Sequence, residues 1–198
     1  MLLDVPFDEK DQAKAAGAKW DPKRGSWFVP EGIDPSAFTR WLPRELEVAG
    51  GNGTMRAQSF ALITGQVACW KCGKDTPATT VLLRGYQEVF DGESEEHAGD
   101  AVINPIVGLD AATRELFATK APWMRPGHSK TRDEVYLAAH CEHCAALQGA
   151  WFLAEPGSAF FPLSEEEAAR LTVEWVHEPI EVLGDANWSS WTDWIANP

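Results

Sequence analysis

Short apolar runs separated by turn residues mark the strands expected in the second part of the chain. The runs at 60–67 and 81–90 each predict a strand, and the second run is rich in β-branched and aromatic residues. A shorter strand is expected at 135–137, leading into a pair of cysteines. The stretches at 92–100 and 122–132 are polar, charged or rich in turn residues, so both predict loops.

Helices are expected where capping residues precede apolar positions. Asp110 is placed to cap a helix that runs through Thr119. Ser164, with Glu167 three residues later, has the capping-box pattern and predicts a helix that reaches about Thr172. Strands and helices together predict an α+β fold.

The first part of the chain predicts a small α+β unit with a strand, a helix, a hairpin and a last helical turn. These elements are a strand at 2–5, a helix at 9–16 capped by Asp8 and ended by Gly17, strands at 18–20 and 26–29, and a helical turn begun by Asp34 and Pro35 with Phe38, Trp41 and Leu42 on its apolar face. A unit of this size is marginally stable without a disulfide or a metal, so we expect it to dock on the rest of the chain or on a partner.

A glycine-rich stretch separates the two parts. Residues 49–54 contain three glycines and no large apolar side chain, which is typical of a flexible linker. We therefore expect a small accessory domain at 1–48, a linker at 49–54 and a larger domain at 55–198.

The small unit resembles a bacterial domain of unknown function that recurs in conjugation-associated DNA primases and other plasmid or mobile-element proteins. The residues that carry this resemblance are Val5-Pro6-Phe7-Asp8-Glu9-Lys10-Asp11, Ala13-Lys14, Gly17-Ala18-Lys19-Trp20-Asp21-Pro22, Trp27-Phe28-Val29-Pro30, Phe38 and Arg40-Trp41-Leu42. The resemblance covers residues 1–43. It implies a bacterial setting and a mobile-element context.

Two Cys-x-x-Cys pairs form the strongest chemical signal in the sequence. They are Cys69 with Cys72 and, after 68 intervening residues, Cys141 with Cys144. Each pair can bind one ion through two thiolates of a tight turn, which we call a knuckle. Gly73 suits the left-handed conformation after the first knuckle. Four thiolates close a tetrahedral shell with no open position and select zinc or iron. We expect one structural zinc ion per chain.

Other readings of the cysteines stay open at this stage. They include a redox Cys-x-x-Cys, although neither pair has a clear strand-to-helix context of that kind, and unrelated buried thiols. His140 and His143 adjoin the second pair and either could replace a sulfur, but with four cysteines we expect both outside the ligand set. The paired spacing resembles zinc ribbons, which implies a ribbon whose halves are joined by a subdomain inserted at 75–138.

Charge is unevenly distributed and bears on the partner. The net charge is −13, and residues 1–48 contribute only −2 of it, with nine acids and seven bases. The remaining 21 acids and ten bases contribute −11. Such a field repels phosphate, so nucleic acid is disfavoured and a basic protein partner is expected. Ten tryptophans exceed what a core needs, which favours a recognition surface.

No targeting or membrane segment is expected. Leu2 and Leu3 are followed at once by Asp4, so no apolar signal core is present. No apolar stretch approaches the ~20 residues that span a bilayer. We expect a cytoplasmic protein, and in a reducing cytosol cysteines in tight pairs indicate metal binding rather than disulfides.

Two further clusters are candidates for partner binding. The first is a set of tryptophans that recur every third residue, Trp188, Trp191 and Trp194, whose alternative role is ordinary packing of a C-terminal helix. The second is a basic segment whose candidate contacts are Arg125, His128, Lys130 and Arg132, and whose alternative is a mobile charged loop.

Recognisable catalytic motifs are absent, and four sulfurs leave zinc no position for water. The sequence therefore predicts a non-catalytic zinc protein that acts through protein–protein interaction, for example as an inhibitor or immunity-type protein. One alternative is a nucleic-acid-binding accessory protein of plasmid or mobile-element DNA processing. The other is an unrecognised hydrolase or nuclease.

Overall fold

The computed structural model describes residues 2–3, 5–22, 26–30, 33, 37–38, 41, 46, 48, 51–129, 131 and 133–196. Strands account for 46% of the structure and helices for 22%, and the centre of the fold is a large antiparallel sheet. The predicted α+β class is therefore wrong, and the protein is mostly β. The predicted fold class is wrong because two polar segments for which the sequence predicts loops, 92–100 and 122–132, contain strand residues.

The small N-terminal unit has its own sheet and its own apolar cluster. Its elements are β1 (Leu2–Leu3), a 3₁₀ turn (Phe7–Glu9), α1 (Lys10–Ala15), β2 (Lys19–Asp21) and β3 (Ser26–Phe28), with the strands in the order β1-β3-β2. Gly17 has φ +104° and ends the helix as expected. Asp8, however, lies inside the 3₁₀ turn and does not cap α1. Phe38 and Trp41 are buried in the cluster, while the predicted Asp34, Pro35 and Leu42 lie outside the described residues.

In the larger part, nine strands pair into one antiparallel sheet within the described ranges. They are β4 (Thr54–Ala57), β5 (Phe60–Ala68), β6 (Asp75–Phe90), β7 (Glu93–Leu109), β8 (Met124–Ser129), β9 (Glu134–His140), β10 (Leu147–Gln148), β11 (Thr172–Val176) and β12 (Ile180–Asn187). The order is β10-β9-β7-β12-β4-β6-β5-β11, with β8 on β9 and a further pairing of β6 with β7. Because β4, β6, β7 and β12 pair in a closed circuit, the sheet curls back on itself.

Both predicted loops of the larger part are strands. Residues 93–100 form the exposed start of β7 and pair with the end of β6, from Phe90 opposite Glu93 to Arg84 opposite Asp100. Most side chains at 93–100 are exposed to solvent. The segment therefore lacks the alternation of apolar and polar residues that indicates a strand in a sequence. The other predicted loop contains β8, which pairs only with β9 among the described strands. An edge position of this kind tolerates Pro126.

In the part of the chain that the structure describes, four helices accompany the sheet: α2 (Ala111–Lys120), α3 (Ala150–Ala154), α4 (Glu165–Ala168) and α5 (Ser190–Ala196). Asp110 caps α2 as predicted, by accepting a hydrogen bond from the Thr113 amide. Ser164 caps α4 as predicted, but the helix is a single turn. Thr172 begins β11 instead, because the sequence Thr-Val-Glu-Trp-Val favours a strand that pairs with β5.

The main hydrophobic core lies along the inner faces of the long strands. Its largest fully buried side chains include Phe60 and Ile63 of β5, Leu82 of β6, Ile103 of β7 and Phe117 of α2. The predicted strands at 60–67, 81–90 and 135–137 are confirmed and supply much of this core. The core supports two β-hairpins, β5–β6 and β9–β10, whose turns contain the cysteine pairs.

Candidate metal centre

Each cysteine pair forms the turn of a β-hairpin. The first turn joins β5 to β6, and in it the Cys69 amide donates to the Lys74 carbonyl while the Gly73 amide donates to the Cys69 carbonyl. The second turn joins β9 to β10 and repeats both bonds, from the Cys141 amide to Ala146 and from the Ala145 amide to Cys141. The two knuckles therefore share one backbone pattern, although they lie far apart in sequence.

The residue after each knuckle has the left-handed conformation. Gly73 has φ +71°, and Ala145, at the equivalent place in the second knuckle, has φ +58°. This conformation costs an alanine roughly 1–2 kcal/mol, whereas a glycine adopts it freely. The fold accepts that cost at Ala145, which indicates that the knuckle geometry is held by contacts beyond the turn itself.

The four sulfurs meet at one point between the hairpins. All four lie within 4.8 Å of one another, with Cys69 Sγ 3.6 Å from Cys144 Sγ and Cys72 Sγ 3.7 Å from Cys141 Sγ. None of the four forms a disulfide. A tetrahedron of sulfurs about 2.3 Å from a zinc ion has edges of about 3.8 Å, so the spacing fits a four-coordinate metal. The expected grouping of the four cysteines into one possible metal site is confirmed.

Hydrogen bonds bridge the two knuckles around the sulfurs. The buried Gln148 of β10 donates from Nε2 to Cys69 Sγ over 3.4 Å and accepts the Trp70 amide at Oε1 over 3.4 Å. The Glu142 amide of the second knuckle also donates to Thr76 Oγ1 of β6 over 3.1 Å. The Trp70 indole N–H donates to the Leu147 carbonyl over 2.7 Å. These bonds orient both knuckles independently of the metal–sulfur bonds.

The environment of the sulfurs favours thiolate at the first knuckle. Burial opposes ionisation of Cys69, but the amides of Cys72 and Lys71 and the neighbouring Cys141 and Cys144 sulfurs lower its pKa to about 6. The thiolate is the form that binds a metal cation. A cation at this point therefore finds the Cys69 thiolate as a ready ligand at neutral pH.

Both histidines beside the second knuckle have other partners. The His140 ring nitrogen Nδ1 lies 2.9 Å from the Ala138 carbonyl, and burial together with the charge of Arg125 lowers the pKa of His140 to about 4. His143 Nε2 lies 3.1 Å from the Asp75 carbonyl. Neither histidine belongs to the group of four ligand atoms that lie together.

The three tryptophans predicted as a partner-binding cluster differ in their exposure to solvent. Trp188 is 67% exposed, whereas Trp191 of α5 is 4% exposed and packs against Phe161 with the ring centroids 4.9 Å apart. Trp194 is partly buried against the main core. Only Trp188 of the three therefore offers a largely free ring.

The predicted basic segment lies on and beside the edge strand β8. Arg125 is half-buried and close to His140, and His128 is exposed with Nε2 3.1 Å from Asp133 Oδ1. Lys130 and Arg132 lie outside the described residues. Neither Arg125 nor His128 belongs to the cysteine cluster.

Three exposed aromatic residues near the metal centre were missed by the sequence analysis. Trp70 sits inside the first knuckle and is 68% exposed, while Trp151 and Phe152 of α3 are 76% and 65% exposed. Trp70 bonds to Leu147 and Gln148, and the Phe152 ring lies beside Gly149. We call these three residues the knuckle patch. The available signal was the position of Trp70 between two metal-binding cysteines.

Comparison with known proteins identifies only the small N-terminal unit. Residues 1–43 match the family model of a domain of unknown function, DUF5710. A DNA primase TraC of Escherichia coli is 54% identical over 56 residues, which cover 28% of this chain and 5% of the primase. A second DNA primase TraC of Escherichia coli is 49% identical over 39 residues, or 20% of this chain and 3% of the primase. No solved structure matches the chain.

The small-domain resemblance is thus confirmed, and the link to mobile elements rests on the two TraC primases. The cysteine cluster is consistent with a zinc ribbon, but no comparison covers it. Within the ranges that the structure describes, no helix is long and apolar enough to cross a membrane.

Proposed function

We propose that this protein is a non-catalytic, zinc-stabilised interaction protein. The observation that carries the proposal is the set of four cysteine sulfurs that lie within 4.8 Å of one another between two hairpin turns. Four thiolates satisfy zinc completely and leave no position for water or substrate, so the metal has a structural role. By joining two hairpins whose cysteine pairs lie 68 residues apart, the ion stabilises the surface around them.

The surface proposed to bind a partner is the knuckle patch. Trp70 hydrogen-bonds to Leu147 and Gln148, the Phe152 ring lies beside Gly149, and Trp151 precedes Phe152 in α3. All three side chains are largely exposed. Exposed aromatic side chains grouped in this way are typical of interface hot spots. The hydrogen bond from the Trp70 indole to Leu147 holds one of the rings before binding, which lowers the entropic cost of association.

Charge favours a basic protein as the partner. The chain carries −13, so it attracts a basic surface and speeds encounter with it. Lys71 and Lys74 are exposed in the first knuckle, and exposed lysines by themselves favour a nucleic-acid contact. A zinc ion with four thiolates has a net charge of −2, however, and these two lysines offset that charge locally.

A first experiment tests the metal. Elemental analysis of the purified protein should give one zinc per chain, and Cys69→Ser should lower both the zinc content and the thermal midpoint. Lys71→Ser, in the same knuckle, is the matched control and should retain zinc. Zinc should also be released as the pH falls, because protons compete for the thiolates. Iron with visible colour, or no metal after metal-replete expression, would contradict the zinc proposal.

A second experiment tests the patch. Affinity capture from a bacterial lysate, followed by direct titration of the captured protein, should identify a basic partner. Trp151→Ala with Phe152→Ala should weaken its binding at least tenfold, because buried aromatic anchors dominate interface energies. Trp188→Ala, an equally exposed tryptophan outside the patch, should have little effect. Equal losses in both variants would argue against the patch as the binding surface.

The match to the TraC primases supports one alternative function, a nucleic-acid-binding accessory role in plasmid or mobile-element DNA processing. The exposed Trp20 and the Lys10–Phe7 contact of 3.7 Å place basic and aromatic groups on the same small unit, as in single-strand binders. Gel shifts with DNA and RNA at near-physiological salt distinguish the two proposals. Sub-micromolar binding that weakens in Lys10→Glu with Lys14→Glu would favour the alternative.

A further inference from the structure

A cavity of about 410 Å³ lies between the paired strands β6 and β7 and the segment 188–193, which leads into α5. Its aromatic wall contains the exposed Trp188 ring and the rings of Tyr86 and His97, which stack with their centroids 4.6 Å apart. Small-molecule sites are concave in this way and combine aromatic walls with a few polar groups. None of the lining residues belongs to the cysteine cluster or the knuckle patch.

Carboxylates supply the charge of the cavity. Glu96 and Asp100 of β7 and Asp193 of α5 line it, and no lysine or arginine is found among the described lining residues. Glu96 accepts a hydrogen bond from the neutral Gln87 over 2.6 Å, which leaves the charge of Glu96 in place. Arg84 lies 3.7 Å from Asp100 and can offset the charge of one of the three carboxylates. The cavity is therefore net negative.

The ionisation of Asp100 shows that the negative charge in the cavity is not fully offset. Burial raises the pKa of Asp100, Arg84 opposes this rise, and the charge of Asp193 adds to it. The pKa stays above its ordinary value although a guanidinium lies beside the carboxylate. A cation that enters the cavity would stabilise the ionised form, so the cavity favours a positively charged occupant.

The spacing of the carboxylates argues against a single metal ion. Among the described residues, the group of ligand atoms close enough together to share one ion is the four cysteines. A magnesium or calcium ion needs oxygen ligands that converge to within about 2.0–2.6 Å of it. Carboxylates that do not converge in this way match instead an organic cation whose charges are spaced along a chain.

We propose that this cavity binds a linear polyamine, with its ammonium groups at Glu96 and Asp100 and its methylene chain against the Trp188 ring. An ammonium group donates charge-assisted hydrogen bonds to a carboxylate, and a cation near a tryptophan face is attracted to the ring. The methylene groups gain from leaving water for the aromatic wall. Asp193 acts here only through its charge. The site is independent of the zinc and partner-binding proposals.

The test compares spermidine with hexaamminecobalt(III), an ion that is also trivalent but is compact and has no methylene chain. Calorimetric titration of the full-length protein at near-physiological salt should give one spermidine per chain, bound more tightly than the cobalt complex. Salt at this level screens the attraction that the acidic surface as a whole exerts on any cation. A preference for spermidine therefore reports the contacts within the cavity.

Two variants remove the contacts one at a time. Glu96→Gln and Trp188→Ala should each weaken spermidine binding by about two- to fivefold, the range for an exposed charge pair and for a cation against an exposed aromatic ring. Glu165→Gln is the matched control, since Glu165 is exposed, lies outside the lining and carries the same charge as Glu96. It should bind spermidine normally.

A cavity-filling variant tests the site without removing a charge. Gly99 lines the cavity, and a Cβ built there meets no other atom within 4 Å, so Gly99→Leu should fold and hinder spermidine. Gly51→Leu, at an equally open glycine outside the lining, should not. Zinc content and the thermal midpoint report the folding of each variant. Equal affinity for the two cations, equal effects of Glu96→Gln and Glu165→Gln, or binding unchanged in Trp188→Ala or Gly99→Leu overturns the proposal.

Discussion

Gln148 is the side chain that connects the two cysteine knuckles most directly. It is buried, its Nε2 donates to Cys69 Sγ and to the Ala146 carbonyl, and its Oε1 accepts the amide of Trp70. Hydrogen bonds to a metal-binding sulfur fix the direction of the thiolate and tune its affinity. One residue of the second hairpin therefore positions a ligand and an exposed aromatic residue of the first.

Replacing Gln148 by Leu keeps the volume of the side chain and removes these hydrogen bonds. We expect zinc affinity to fall about 10–100-fold and the free energy of unfolding to fall by about 1–3 kcal/mol, because the Trp70 amide loses a partner. Competition with a chromogenic chelator measures the affinity. Gln66→Leu, at an exposed position of β5, is the control and should bind zinc normally. Unchanged affinity in Gln148→Leu would show that the sulfurs alone define the site.

The N-cap residue of helix α2 connects the helix to the sheet. Asp110 accepts hydrogen bonds from the Thr113 amide at 2.9 Å, the Thr113 hydroxyl at 2.8 Å and the Glu181 amide of β12 at 3.0 Å. Burial would raise the pKa of Asp110, but the hydrogen bonds from Thr113 and Glu181 outweigh it and lower the pKa. The ionised Asp110 carboxylate therefore connects the start of α2 to β12.

Changing Asp110 to Ala should lower the free energy of unfolding by about 1–2 kcal/mol at neutral pH, the usual range for a lost N-cap. Because the folded-state pKa is lowered, the stabilisation is complete above the ordinary carboxyl pKa of about 4 and is lost as the pH falls through the lower folded value. Denaturant unfolding at several pH values should show the two proteins converging in acid. Glu115→Ala, exposed on the same helix, serves as control. A difference independent of pH would exclude the charge as its cause.

Among the described residues, the two largest hydrophobic clusters lie in different parts of the chain, a small one around Phe38 and Trp41 and a large one in the main sheet. Leu46 precedes the predicted linker, yet it is buried in the large cluster. Its carbonyl accepts the Leu109 amide over 3.0 Å, and the Val48 amide donates to the Leu109 carbonyl over 3.4 Å. The domain limits of 1–48, 49–54 and 55–198 stay a prediction, and these contacts attach Leu46 and Val48 to the larger part.

Two truncations distinguish the possible boundaries. Deleting residues 1–43 should leave a protein that keeps its metal and unfolds cooperatively. The protein that lacks residues 1–48 should have a free energy of unfolding about 2–5 kcal/mol lower than the protein that lacks residues 1–43, because it also loses the buried Leu46. Leu46→Ala in the full chain should reproduce most of the difference. If the protein that lacks residues 1–43 already fails to bind metal and to unfold cooperatively, the two hydrophobic clusters form one folding unit.

The sequence by itself determined the features that depend on local spacing. Two residues between paired cysteines bring two sulfurs to one knuckle, and Asp110 or Ser164 caps a helix through an amide three residues away. Only the tertiary structure decided which polar segments are strands, since residues 93–100 are held by backbone hydrogen bonds to β6 and not by an apolar pattern. It also decided which tryptophans are exposed, because Trp191 and Trp151 differ in what packs against them rather than in their local sequence.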